Sequence, residues 1–207
     1  DAAADAGLRR TISHALDGAV GIGARALHLV ATRNPDTIAE AQIYRGRALD
    51  EVFPRPEDLP PVTVSRRWST PWLVGEDLRF PSGYWPLAPS FAERYERDYG
   101  RNAVAVARRV RHRRGGRRPT LLYLHGWLQP ETPFEEFAIL VNLARRLGAD
   151  IVQLQPPYHG RRRVRGSRFT GDGYFTADVV RSIEAIRQSV FDARSLLGWL
   201  HAEQRSS

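Results

Sequence analysis

The chain has 207 residues, 42% hydrophobic and 26% charged, a size and balance suited to one globular core, or one core with an appendage. It has no cysteine, which excludes a disulfide framework and thiolate metal sites. Its net charge of +8 rests on 31 basic residues, all of them arginine; phosphate-binding surfaces usually mix arginine with mobile lysine, so the pattern reads as GC-rich codon usage and argues against a nucleic-acid partner.

Methionine is absent, at position 1 as elsewhere, and the chain reads as cut at both ends. No segment supplies the ~20 apolar residues that span a bilayer; the longest apolar run, Gly18 to Ala31, is broken by Arg25 and His28. The amino terminus lacks the basic-then-apolar order of a signal peptide. No membrane is expected, and the default location is cytoplasmic.

Residues 1–50 read as helix-rich, with Leu8, Ile12 and Leu16, then Ala24, Leu27 and Val30, at helical spacings. Gly21-x-Gly23-x-x-Ala26 imitates a dinucleotide fingerprint, but such a loop needs a strand before it, and Thr11 to Leu16 reads as helix. Residues 51–90 are rich in proline and carry Trp68, Trp72 and Trp85, so short strands and ordered loops are predicted. The strands predicted there are Val62–Ser65 and Asp77–Phe80, with the tryptophans read as packing residues ahead of a cleft lining.

Val104 and Val106 alternate in a strand predicted within 102–112. Between Arg108 and Arg118 arginines crowd around Gly115-Gly116. With no interleaved aromatic residue to stack bases, this segment reads as a solvated hairpin turn.

Thr120–Leu124 is a buried-strand run. Thr132-Pro133 offers a helix start, with Glu135 and Glu136 near the positive helix end. Phe134, Phe137, Leu140, Val141, Ala144 and Leu147 make an apolar face, and Gly148 marks the stop. Ile151–Leu154 is the next strand, ended by Pro156-Pro157. In the last helix Val179, Ile183, Ile186, Val190, Ala193, Leu197 and Leu200 recur in steps of four and three, which predicts one apolar stripe laid on the sheet. Strand, helix, strand, helix implies a parallel sheet with crossovers.

His125-Gly126-Trp127 follows the first of those strands. A sharp turn at the carboxyl end of a strand aims backbone N–H groups at one face, and Gly126 permits it without a Cβ clash. Such donors stabilise the oxyanion of acyl transfer. The donor would be the Trp127 N–H, with Leu128 as the alternative, and His125 would brace the loop rather than act as a base.

With these residues the chain resembles the α/β-hydrolase superfamily over about residues 75–205. Leu121-Tyr123-Leu124-His125-Gly126-Trp127 is similar to the family's third strand and oxyanion turn, Ile151 to Gly160 to its fourth strand and following loop, and Thr176 to Glu203 to the helix before the nucleophile strand. Pro157-Tyr158-His159-Gly160 and the arginines after it are similar to a poorly characterised abhydrolase-domain branch.

The resemblance implies a three-layer α/β fold with an incomplete, mostly parallel sheet. Residues 1–74 would be an extension, and 75–207 the amino-terminal half of the hydrolase domain. It also implies a serine hydrolase acting on a small acyl or ester substrate, with no cofactor or metal.

The chain departs from the family in one respect. The nucleophile belongs in Gly-x-Ser-x-Gly at a strand-to-helix elbow, and no serine here has that setting. The triad acid and histidine follow the nucleophile, so His125, His159 and His201 are not the triad histidine. This chain alone is expected to be inactive, to lack its carboxyl-terminal half, and to be prone to self-association. His159 with Asp172 and Asp178 makes a poor metal set, lacking a second histidine at ligand spacing. Arg161, Arg162, Arg163, Arg165 and Arg168 read as a solvated loop in preference to an anion site.

Overall fold

A computed structural model describes residues 36–114, 116, 118–127 and 135–206. The dinucleotide-like glycines, the Thr132-Pro133 helix start and most of the amino-terminal helical pattern lie outside these residues. The elements in order are α1 (Asp36–Glu40), α2 (Leu49–Val52), β1 (Thr63–Ser69), β2 (Leu73–Pro81), α3 (Pro89–Asp98), β3 (Val104–His112) and β4 (Thr120–Leu124), then a π-helical stretch Glu136–Leu140 running into α4 (Val141–Leu147), β5 (Asp150–Leu154) and α5 (Val179–Ser206). Among the described residues, no helix is long and apolar enough to cross a membrane.

The fold is mixed α/β, with an open sheet ordered β1-β2-β3-β5-β4. The predicted parallel pair is present: Thr120–Leu124 lies in register with Asp150–Leu154. The expectation of a mostly parallel sheet needs correction, because the other three pairings are antiparallel. Two chain connections account for the first two of these. The β1–β2 link is a tight turn in which Thr70 Oγ1 accepts from Leu73 N at 2.9 Å, and a tight turn permits only antiparallel pairing. After β2 the chain runs through α3 and returns at the same edge, so that Pro81 faces Val104. Both early strands also exceed their predicted spans.

Helices cover both faces. Neighbouring strand residues point oppositely, so Val152 and Leu154 pack with Leu78, Phe80, Ala107, Leu196 and Leu200 beneath α5. Ile151, on the other face, packs with Leu73, Val110, Leu140 and Ala144 beneath α4. Gly148 has the left-handed conformation, φ 61°, that ends α4. The predicted α4 face is only partly buried: Phe137 and Leu147 are exposed. The missing side chain of Gly75 makes room for Trp68 over β2, since a Cβ there would sit 2.1 Å from the indole.

The predicted stripe of α5 is displaced. Ile186 and Leu197 are exposed, and the face turned inward carries Glu184, Gln188, Asp192 and Ser195 above Leu196 and Leu200. Those polar groups are satisfied rather than stranded. Glu184 accepts from Tyr44 at 2.6 Å, from Leu87 N at 2.9 Å, from Ala88 N at 3.0 Å, and from Tyr84 and Arg187. Gln188 Nε2 has three oxygens in reach of its two hydrogens, Asn102 O at 2.7 Å, the Tyr95 hydroxyl at 3.0 Å and the Ser82 hydroxyl at 3.1 Å. The helix is fastened to α3 and the preceding turns by hydrogen bonds where apolar packing was predicted.

Candidate functional site

β4 and β5 run parallel, so their carboxyl ends open on one edge, where crevices of open α/β sheets form. His125-Gly126-Trp127 leaves β4 there, and residues 155–175 leave β5 beside it. The first part of the second loop, residues 155–159, is buried. Tyr158 N donates to Asn102 Oδ1 at 3.0 Å, Gly171 N to Tyr158 O at 3.0 Å, and Gly160 N to Thr170 Oγ1 at 3.2 Å. These bonds hold Tyr158 at φ 67°, a conformation that costs a bulky residue energy, and burial raises its phenol pKa well above the ordinary value.

Arg162 anchors the loop from below. It is fully buried and lies 2.8 Å from Asp192 on α5, which is also fully buried. It donates to Gln155 O at 3.0 Å and Asn102 O at 2.8 Å. Burial pushes the Asp192 carboxyl up, while Arg162 and Ser82 pull it down. The solvated-loop expectation is therefore corrected for Arg162, and Arg161 is paired as well, 2.8 Å from Asp77.

The solvated-hairpin expectation fails likewise at Arg108 and Arg109, both buried. Arg108 lies against Asp77 and Glu136. Glu136 also accepts from Arg67 at 2.5 Å and Trp68 Nε1 at 2.6 Å, so it ties β1 and β3 to the helix beyond any dipole role. Of the three early tryptophans only Trp68 packs; Trp72 and Trp85 are exposed, and Trp85 lines a proline-rich groove of about 460 Å³.

The two loops meet through rings. His125 Nδ1 lies 3.0 Å from its neighbour's carbonyl, Gly126 O, and its ring stands 5.0 Å from that of His159. His159 in turn lies 5.2 Å from Tyr174, whose hydroxyl is 3.0 Å from Ser189 Oγ. Trp127 Nε1 donates to Gly171 O at 3.0 Å, and its indole meets Phe175 edge-on at 5.6 Å. Gly171 is the hinge of this contact. It has φ +82°, and a Cβ there would fall 2.5 Å from His159 Nε2 and 2.9 Å from Trp127 Cδ1.

His159 is buried, and its Nδ1 lies 2.8 Å from Pro157 O, so Nδ1 carries the hydrogen and Nε2 the lone pair. Burial lowers its pKa to about 4, with His125 and Arg162 adding to the fall against the Pro157 bond. It is neutral at physiological pH. Asp172 is engaged by Arg168 and Asp178 by Arg94, so neither joins His159. Among the described residues no serine hydroxyl is hydrogen-bonded to a histidine; Ser82 pairs with Asp192 and Ser189 with Tyr174. His201 is exposed on α5.

Beside the turn, Trp127, Phe175, Val179, Ile183 and Ile186 line an open apolar groove of about 420 Å³. The outward stripe of α5 thus forms one wall of it. The structure brings His125, Gly126 and Trp127 together with His159, which the Pro157-Tyr158-His159-Gly160 stretch marks in the sequence, and with Gly171 and Tyr174, which no sequence motif marks. The Gly171-Asp172-Gly173 turn is the one local signal that could have flagged a close approach.

No family model and no curated protein matches this chain. Among solved structures it is similar to acetyl xylan esterase 1 from Thermoanaerobacterium sp. JW/SL YS485, at 13% identity and a TM-score of 0.34 over 55% of this chain. The chain spans about a third of that structure's length, covering 36% of it.

Proposed function

We propose that this chain is the amino-terminal part of a serine hydrolase that cleaves an ester or related acyl bond, residues 75–207 forming half of the hydrolase domain. The observation that carries the reading is the position of His125-Gly126-Trp127. The turn stands at the carboxyl end of β4, beside the end of the parallel β5, with its indole tied to Gly171 O. A backbone turn fixed in this way is suited to oxyanion stabilisation, because its donors need no reorganisation when charge develops.

In this reading the Trp127 backbone N–H faces the oxyanion, His125 braces the turn, and the apolar groove along Phe175, Val179 and Ile183 takes the acyl part. The serine, acid and base come from outside these 207 residues. The neutral His159 fixes the loop behind the turn and takes no part in proton transfer, since a base with a pKa of about 4 is poorly matched to work at neutral pH.

A fluorophosphonate serine probe tests the assignment. The 207-residue chain is expected to remain unlabelled and the hydrolase-complete protein to be labelled. In the latter, Gly126→Val should lower kcat by roughly 10²–10³, the usual loss for one oxyanion donor. Stoichiometric labelling of the 207-residue chain, or an unchanged kcat in the variant, would falsify it.

A further inference from the structure

At the other end of the sheet lies a cavity of about 610 Å³, framed by His112 at the end of β3, Thr120 and Asp150 at the starts of β4 and β5, and the last turns of α5. Its distance from the oxyanion turn is set by β4, a span of ~13 Å. Five arginines line it (109, 111, 114, 118 and 205) against the carboxylates of Asp150 and Glu203.

Both carboxylates are already engaged. Glu203 receives Arg109 in a bidentate pair at 2.5 and 3.2 Å. Asp150 Oδ1 accepts from His112 N at 2.8 Å and lies 3.1 Å from His112 Nδ1. Beneath the floor, the buried Glu76 is shared by Arg109 at 2.7 Å and Arg111 at 3.0 Å.

The remaining cations have no carboxylate. Arg114 and Arg205 form no ion pair among the described residues, and both are exposed. Arg118 reaches Gly148 O at 3.4 Å, and its buried Nε–H has no acceptor. Guanidinium groups match phosphate oxygens through paired N–H bonds. The arginine content of the chain carries none of this; the positions of three residues do.

We propose that this basin is a binding site for a small, multiply charged phosphate compound of the pyrophosphate type, held by Arg114, Arg118 and Arg205. Among the described residues no Trp, Tyr or Phe lines it, so it lacks the stacking platform that a single-stranded nucleic acid uses. Its concave shape favours a compact ligand.

Calorimetric titration of the full chain with pyrophosphate, inorganic phosphate and an oligothymidylate at matched ionic strength tests this. One saturable pyrophosphate site is expected, weaker for phosphate. It should be weakened at least ~10-fold in R114A/R205A, which removes exposed side chains, and in R118A. R146A, which alters an exposed arginine on α4, should leave it unchanged. Absence of saturable binding, an equal loss in R146A, or tighter binding of the oligothymidylate through the same three arginines would each overturn the proposal.

Discussion

His159 shows how burial sets the chemistry of one side chain. Its pKa of about 4 in the folded chain lies below the ~6.5 of an exposed imidazole. Between those values the unfolded chain binds the extra proton, so stability rises with pH. The contribution is complete above pH ~6.5 and is lost progressively as the pH falls towards 4, to a total of about 3 kcal/mol. Urea unfolding at pH 7.5 and 4.5 should show this loss, and His159→Gln should remove that part of it. An identical pH dependence in the variant would assign the loss to other groups.

The neighbouring Gly171 is constrained twice over, by φ +82° and by the 2.5 Å approach of His159 Nε2 to a Cβ there. Gly171→Ala should therefore destabilise the chain by roughly 1–3 kcal/mol, read as a lower urea midpoint. It should also alter Trp127 fluorescence, because the indole is bonded to the Gly171 carbonyl. The site was half legible from sequence for a physical reason. His125-Gly126-Trp127 is contiguous and follows a recognisable strand, whereas His159, Gly171 and Tyr174 meet it across loops, and no local rule pairs residues that far apart.

Among the elements, α5 was the clearest as a helix and the least legible as a surface. Periodicity of apolar residues finds the element, but the inward face was decided by partners remote in sequence: Tyr44 and Tyr84 for Glu184, Ser82 and Tyr95 for Gln188, Arg162 for Asp192. β4, β5 and the Gly148 stop, by contrast, rest on short-range signals, and the observed spans agree to within a residue.

The Arg162–Asp192 pair links α5 to the loop behind the candidate site and is fully buried on both sides. Breaking it from one side leaves an uncompensated charge, so Arg162→Met and Asp192→Leu should each cost roughly 3–5 kcal/mol. The double variant should cost much less than the sum, because two apolar side chains can replace a buried pair at little net loss. Additive losses in denaturant unfolding would show that the two residues act separately.

For the whole molecule the asymmetry between the two sheet edges decides behaviour in solution. β1 is one edge, and carries Arg66 and Arg67 among serine and threonine, the kind of charged edge that resists pairing with another chain. β4 is the other. Thr120–Leu124 contains neither charge nor proline, pairs only with β5, and leaves Leu121 and Leu124 exposed. The outward residues Ile186 and Leu197 of α5 add exposed apolar surface to the molecule. In the proposed hydrolase, the nucleophile-bearing strand would lie along β4.

Without it, an open apolar edge is a template for strand addition. The 207-residue chain should therefore associate as its concentration rises through the micromolar range, seen as growing sedimentation coefficients, and adding the carboxyl-terminal half should suppress this. Leu121→Lys should restore the monomer by placing a charge on the open edge, while Val64→Lys on the already charged edge should change little. A cooperatively folded wild-type monomer across that range would remove the open-edge argument and favour a free-standing interaction module. Association persisting unchanged in Leu121→Lys would move the contact to another surface.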